Sequence, residues 1–177
     1  MKKLAAVIAA VILAVLLAPT PAPAVTASGT LAVSATVQSS INLVFNTDGS
    51  GVALGGAGTN AATLAFGSVQ AFGTAPGAKI TRTTGASSFS VSTPFDVNVA
   101  KANLTSSNYT LTAQLAAADS TNTWQVGGVT VTSASAATIT STGTYASNVS
   151  FTLQLTIPFS EAAGSISNTL NFTATAN

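Results

Sequence analysis

The sequence contains no cysteine and no histidine, and only 5% of its 177 residues are charged. These absences exclude disulfides, Ser-His-Asp and Cys-His catalysis, and zinc sites built from the usual nitrogen and sulfur ligands. The charged residues number five basic and four acidic, and they form no basic patch that could neutralise a phosphate backbone. The composition therefore predicts a protein that is not an enzyme, that has no catalytic, cofactor-binding or metal-binding residues, and that does not bind nucleic acid.

The acidic residues could support one type of catalysis that does not require histidine. Glycoside hydrolysis needs two carboxylates placed on either side of a bond. Asp96, Asp119 and Glu161 lie on separate predicted elements, and no repeated spacing relates them. A hydrolase remains a minor alternative, which would require these side chains to converge in one cleft.

Residues 1–24 have the three parts of a secretory signal peptide. Two lysines precede an apolar run from Leu4 to Ala18, and small residues follow up to Ala24. The apolar run is shorter than the roughly 20 residues that a membrane-spanning helix needs. We therefore predict a secreted protein without a membrane span in its mature form, cleaved after Ala22 or Ala24.

After residue 28 the apolar residues recur with a period of two, which is typical of half-buried β-strands. Threonine, serine and asparagine fill the alternate positions, and no segment beyond the signal peptide has a helical pattern. Gly127-Gly128 suits a two-residue turn, so residues 123–132 should form a hairpin. The apolar positions of the longer runs are Phe89, Val91, Phe95, Val97 and Val99; Tyr109, Leu111, Ala113 and Leu115; Val149, Phe151, Leu153, Leu155, Ile157 and Phe159; and Leu170, Phe172 and Ala174.

Seven to nine such strands, separated by Gly, Asn and Ser turns, predict an all-β domain over residues 39–177. The most fitting architecture is an immunoglobulin-like antiparallel β-sandwich. Pro94 and Pro158 interrupt two of the strands and should lie at a sheet edge or a bulge, because proline cannot donate to the ladder.

The first amphipathic run is the unusual one, since it keeps one phase from Leu31 to Phe45 whereas sandwich strands average five or six residues. A run of this length can form two separate strands, one in a neighbouring subunit and one in its own subunit. We expect residues 25–38 to form a donor-type strand that enters a groove on the next subunit by β-strand addition, after which the subunit's own sandwich begins. The donor side chains would be Leu31, Val33, Ala35 and Val37. Repetition of this contact head to tail would give a homopolymeric filament.

Three blocks of the chain resemble the spore coat protein U and archaic chaperone–usher pilin family: GTLAVSATVQSSINLVF (29–45), LAFGSV (64–69) and AAGSISNTLNFTATA (162–176). In that family the similar blocks are the donor and first strands, a Phe-Gly strand, and a Gly-begun final strand. The resemblance implies export through the periplasm with a periplasmic chaperone and an outer-membrane usher, and assembly into thin adhesive pili on the cell surface. Two positions depart from the family pattern: Ser40 replaces a common cysteine, and Ala176 replaces a usual aromatic residue.

A different class of function stays open beside the filament subunit. The domain could be a self-contained secreted sandwich that binds a glycan or a cell surface, with residues 25–38 folded into its own sheet. Trp124, the single tryptophan, distinguishes the two. An exposed Trp124 could stack on a sugar ring, whereas core packing, the outcome we expect, would remove that support.

Overall fold

The computed structural model describes residues 27–177, so the signal peptide predicted at residues 1–24 lies outside the described residues. None of the described residues forms a helix with the length and hydropathy required to cross a bilayer. Over residues 27–177 the chain forms nine strands: β1 (Ser40–Asn46), β2 (Thr81–Thr84), β3 (Ser88–Ala102), β4 (Asn108–Leu115), β5 (Thr123–Val126), β6 (Val129–Val131), β7 (Ala137–Thr144), β8 (Asn148–Pro158) and β9 (Leu170–Ala176).

The strands form two sheets in which every pairing is antiparallel. The larger sheet has six strands in the order β1-β3-β8-β5-β6, with β2 also beside β3, and the smaller sheet has three strands in the order β7-β4-β9. Strand β3 is long enough to pair with β1 along its second half and with β2 along its first half. The two sheets pack their apolar faces together as a sandwich.

The period-two pattern accounts for the core. Alternate side chains of β3, β4 and β8 are buried, and the Ser, Thr, Asn and Gln residues between them lie on the outer faces. The fully buried side chains include Val91, Val97, Val99, Tyr109 and Leu111. The prediction of an all-β antiparallel sandwich is thereby confirmed.

The hairpin predicted at residues 123–132 is also present. Strands β5 and β6 pair in register from Trp124 with Val131 to Val126 with Val129. Gly127 and Gly128 both have positive φ, at 57° and 81°, as a two-residue type I′ turn requires.

One sequence expectation is wrong: residues 64–69, which the family resemblance places in a Phe-Gly strand, form no strand and belong to the long connection between β1 and β2. Pro94 lies at a local sheet edge, in agreement with the prediction. Although β3 has neighbours on both sides, Pro94 occupies the interval that neither β1 nor β2 pairs with, so the missing N–H is tolerated there. Pro158 is the last residue of β8.

Candidate functional site

The sandwich is closed along one side. There the end of β4 meets the residues that follow β6: the amide N–H of Leu115 donates to the Thr132 carbonyl at 3.1 Å. Gln114 adds a side-chain hydrogen bond from Nε2 to the Ser133 carbonyl at 2.8 Å. Strands β6 and β7 therefore form a sealed margin between the two sheets.

The opposite side of the sandwich is open along part of its length. Strands β1 and β9 approach each other where the rings of Phe45 and Phe172 meet edge to face, with centroids 5.2 Å apart. Beyond that contact a groove with a volume of about 1110 Å³ runs between the sheets. Its floor is apolar and consists of core side chains of the larger sheet: Phe89, Phe95, Trp124, Leu153, Leu155 and Ile157.

Two irregular segments border the groove. The first wall, residues 62–72, belongs to the connection between β1 and β2, and the second wall, residues 161–170, leads from β8 into β9. Within residues 27–177, no hydrogen bond joins the backbone of residues 64–69 or of residues 162–167 to the rest of the protein. Each wall therefore offers unpaired N–H and C=O groups, which is the property that makes a strand edge accept another chain.

An aromatic pair lies at the rim of the groove. Phe72, at the end of the first wall, is 68% exposed and packs on Phe159, with ring centroids 5.4 Å apart. Two adjacent exposed phenylalanines on a protein with so few charges form an apolar patch that solvent covers poorly. The exposed aromatic pair therefore extends the apolar lining of the groove to the protein surface.

The four residues predicted to form a donor strand belong to a segment without regular secondary structure. Residues 27–39 form no strand, and Leu31 and Val33 are 88% and 83% exposed. Ala35 and Val37 are exposed as well. The alternating apolar side chains of this segment are therefore uncovered.

Trp124 is a core residue, as predicted. It is only 6% exposed, and its Nε1–H donates to Asp119 Oδ2 at 2.8 Å. Burial opposes ionisation of Asp119, but hydrogen bonds from the Asn122 backbone, from Trp124 and from the Asn122 side chain outweigh it and hold the pKa of the carboxyl below its usual range. Because so little of the ring is exposed on the groove floor, it does not form the exposed stacking platform that would have favoured glycan binding.

The three carboxylates considered for hydrolysis have different surroundings. Asp119 is bonded to Trp124, Glu161 lies in the second wall, and Asp96 accepts a hydrogen bond from Asn148 Nδ2 at 3.2 Å. No cluster of three carboxylates that could hold a metal ion occurs in the part of the chain that the structure describes.

Asp96 has a carboxylate neighbour that the sequence did not indicate. Asp48 Oδ2 accepts a hydrogen bond at 2.8 Å from Ser150, which is the cross-strand partner of Asp96. Hydrogen bonds from Ser50 and Ser150 lower the pKa of Asp48 to about 2. Burial and the charge of Asp48 raise the pKa of Asp96. The pair lies on the outer face of the larger sheet, on the side remote from the apolar floor of the groove.

Comparison with protein-family models finds no matching family, and searches of curated proteins and of solved structures find no significant match. The fold and the groove define the chain as an antiparallel β-sandwich with one open side.

Proposed function

We propose that the protein is a secreted structural subunit of a surface filament, a pilus or a coat, in which residues 25–38 of one copy occupy the groove of the next. The observation that carries the proposal is the pairing of an unfilled apolar groove with an uncovered amphipathic segment in the same chain. An inserted segment would find apolar side chains below it and unpaired backbone groups in both walls. This is β-strand addition, in which main-chain hydrogen bonds give affinity and alternate side chains give specificity.

The position of the donor segment favours a filament over a closed dimer. Ser40, where β1 begins, pairs with Ala102 at the last residue of β3. The floor of the groove includes Phe89, near the first residue of β3. At about 3.3 Å per residue, the length of β3 separates these two points by roughly 40 Å. A subunit that donates at one end and accepts at the other makes a heterologous contact, which repeats as an open filament unless the rotation between copies closes a ring.

The same lengths argue against insertion of the segment into its own groove. Val37 is three residues from Ser40, so it reaches at most about 10 Å from the start of β1. It cannot approach Phe89 or Ile157 on the floor of the groove of its own chain. Leu31, Val33, Ala35 and Val37 can therefore occupy a groove together only in a second copy.

Burial of these side chains supplies part of the free energy that association requires. Transfer of Leu31, Val33 and Val37 from their exposed positions into the groove contributes roughly 5–9 kcal/mol at about 1.5–3 kcal/mol each. Association costs about 4–15 kcal/mol in lost freedom, so the main-chain hydrogen bonds along both walls are needed to make the contact stable.

The remaining parts of the proposal rest on the sequence. The signal peptide supports secretion, and the family resemblance supports an immunoglobulin-like topology, passage through the periplasm with a chaperone and an usher, and a place on the cell surface. The blocks at 64–69 and 162–176 that carry this resemblance include most of the two walls of the groove.

Negative-stain microscopy and gels run without heating test the proposal. The mature chain should form filaments and a ladder of denaturant-resistant oligomers, and a truncation that lacks residues 25–38 should remain monomeric. A folded monomer in both samples would overturn the assignment.

A further inference from the structure

One end of the first wall is fixed by an arginine. Arg82, the only arginine in the chain, lies half-buried on β2 opposite Val91 of β3. Its Nη1 donates to the carbonyls of Gln70 at 2.9 Å and Thr74 at 2.8 Å. Nη2 donates to the Gly73 carbonyl at 3.4 Å. The guanidinium group therefore donates hydrogen bonds to three carbonyls of the turn at residues 70–74.

A second side chain on the same strand adds to this contact. Thr84 Oγ1 donates to the carbonyl of Ala71 at 2.9 Å. The hydrogen-bonded carbonyls of Ala71 and Gly73 flank Phe72, whose ring packs on Phe159. Arg82 and Thr84 therefore fix the position of the exposed aromatic ring at the rim of the groove.

The other end of the wall is fixed independently. Gly55 and Thr63 exchange two backbone hydrogen bonds, at 2.9 and 2.8 Å. Between this bridge and the Arg82 contact, residues 64–69 have no hydrogen bond to the rest of the described chain. Leu64, Phe66 and Val69 pack partly against the core, so this side-chain packing and the two tethered ends hold the segment in place. A segment without backbone pairings of its own is more easily displaced when one tether is removed.

We infer that Arg82 is the positioning residue of the acceptor site: it fixes the turn at residues 70–74, so that Phe72 and the free backbone groups of residues 64–69 receive the donor segment of a second copy. This inference rests on the proposed function. Its physical basis is preorganisation, since a wall already in its bound conformation does not have to be ordered when the donor arrives. Hydrogen bonds from a charged donor are well suited to this, because each is stronger than a neutral one.

The experiment measures binding of a fluorescent synthetic peptide of residues 25–38 to the mature chain. The acceptor carries Val33→Asp so that its own donor segment does not compete, and this change leaves the groove intact. Arg82→Ala should weaken peptide binding at least about tenfold, and most of the loss should appear in the association rate. Arg82→Lys, which keeps a charged donor, should restore part of it.

Lys79→Ala is the matched control, because the Lys79 ammonium donates to the carbonyl of Gly49 at 3.0 Å, outside the groove walls. It should bind the peptide as the parent does. Denaturant unfolding of each variant separates a positioning effect from general loss of structure. The midpoint of the Arg82→Ala variant should stay close to that of the parent while its peptide binding falls.

The possible failures are distinguishable. Equal peptide binding by the parent and the Arg82→Ala variant would overturn this inference and leave the proposed function standing. Failure of the parent acceptor to bind the peptide would overturn both. If Arg82→Ala does not fold, the nearly isosteric Thr84→Val decides: a smaller loss of binding with an unchanged midpoint supports the inference, and unchanged binding refutes it.

Discussion

Replacement of Val33 by aspartate is the most direct perturbation of the proposed assembly. Val33 is 83% exposed in the single chain, so the change should leave the free energy of unfolding of the monomer almost unaltered. In the filament the same position would lie in the apolar groove. The variant therefore separates assembly from folding.

The expected magnitude follows from the two environments. Loss of the buried valine removes about 1.5–3 kcal/mol of transfer energy. Placing an unpaired carboxylate on a floor of phenylalanine, leucine and isoleucine adds several kcal/mol. A total above about 4 kcal/mol weakens the contact roughly a thousandfold. Val33→Ala, which removes two methyl groups at about 0.8 kcal/mol each, should weaken it roughly tenfold.

Ser34→Asp is the control. It introduces the same charge one residue away, on the face of the donor segment that points away from the groove floor, because side chains alternate along a strand. Analytical ultracentrifugation and unheated gels should show polymer for the parent and for Ser34→Asp, and monomer for Val33→Asp. Polymer from all three proteins, or loss of polymer in both aspartate variants, would refute the placement of the odd-numbered side chains.

The strands of the core were predictable because burial of one face of a sheet requires apolar residues at every second position of the sequence. The alternation through Phe89, Val91, Phe95, Val97 and Val99 identified both β3 and its inward face, and all five side chains are buried. The hairpin turn was predictable for a different reason: two adjacent glycines satisfy a pair of positive φ angles that other residues avoid.

Pairing was much less predictable than alternation. The run from Leu31 to Phe45 has one continuous phase, yet only its part from Ser40 onward forms a strand. Residues 64–66 begin with the same alternation and form none. A period of two in the sequence shows which face of an extended segment is apolar. It does not show whether that segment has a hydrogen-bonded partner strand, because the partner is distant in sequence. Pro94 illustrates the same limit, because its tolerance inside β3 depends on where β1 and β2 end.

Of the two parts of the candidate site, the proposed donor segment could be predicted from the sequence and the groove could not. The side chains proposed as donors were visible in the sequence because they extend a strand pattern beyond its usual length. The groove was not visible, since it arises where the smaller sheet leaves part of the larger one uncovered. The role of Arg82 was equally hidden: a lone arginine in TRTT has no local signal that it binds carbonyls in the turn at residues 70–74.

Two further predictions concern the sandwich itself. Gly143→Ala would place a Cβ 2.3 Å from the ring of the buried Tyr109, and overpacking of this kind should destabilise the protein by about 1–3 kcal/mol in denaturant unfolding, whereas Gly49→Ala, with no atom within 4 Å, should not. Asp96→Asn should raise the melting temperature at pH 7. Burial and the charge of Asp48 raise the pKa of Asp96, so its contribution to stability is complete below its ordinary pKa in the unfolded chain and is lost as the pH rises through the folded value. The parent therefore bears at neutral pH a penalty that the asparagine lacks, and the difference in melting temperature should shrink as the pH falls toward the ordinary aspartate pKa. A difference that stays constant from pH 3 to 8, or a variant that melts below the parent at pH 7, would show that the repulsion between the two carboxylates does not act as described.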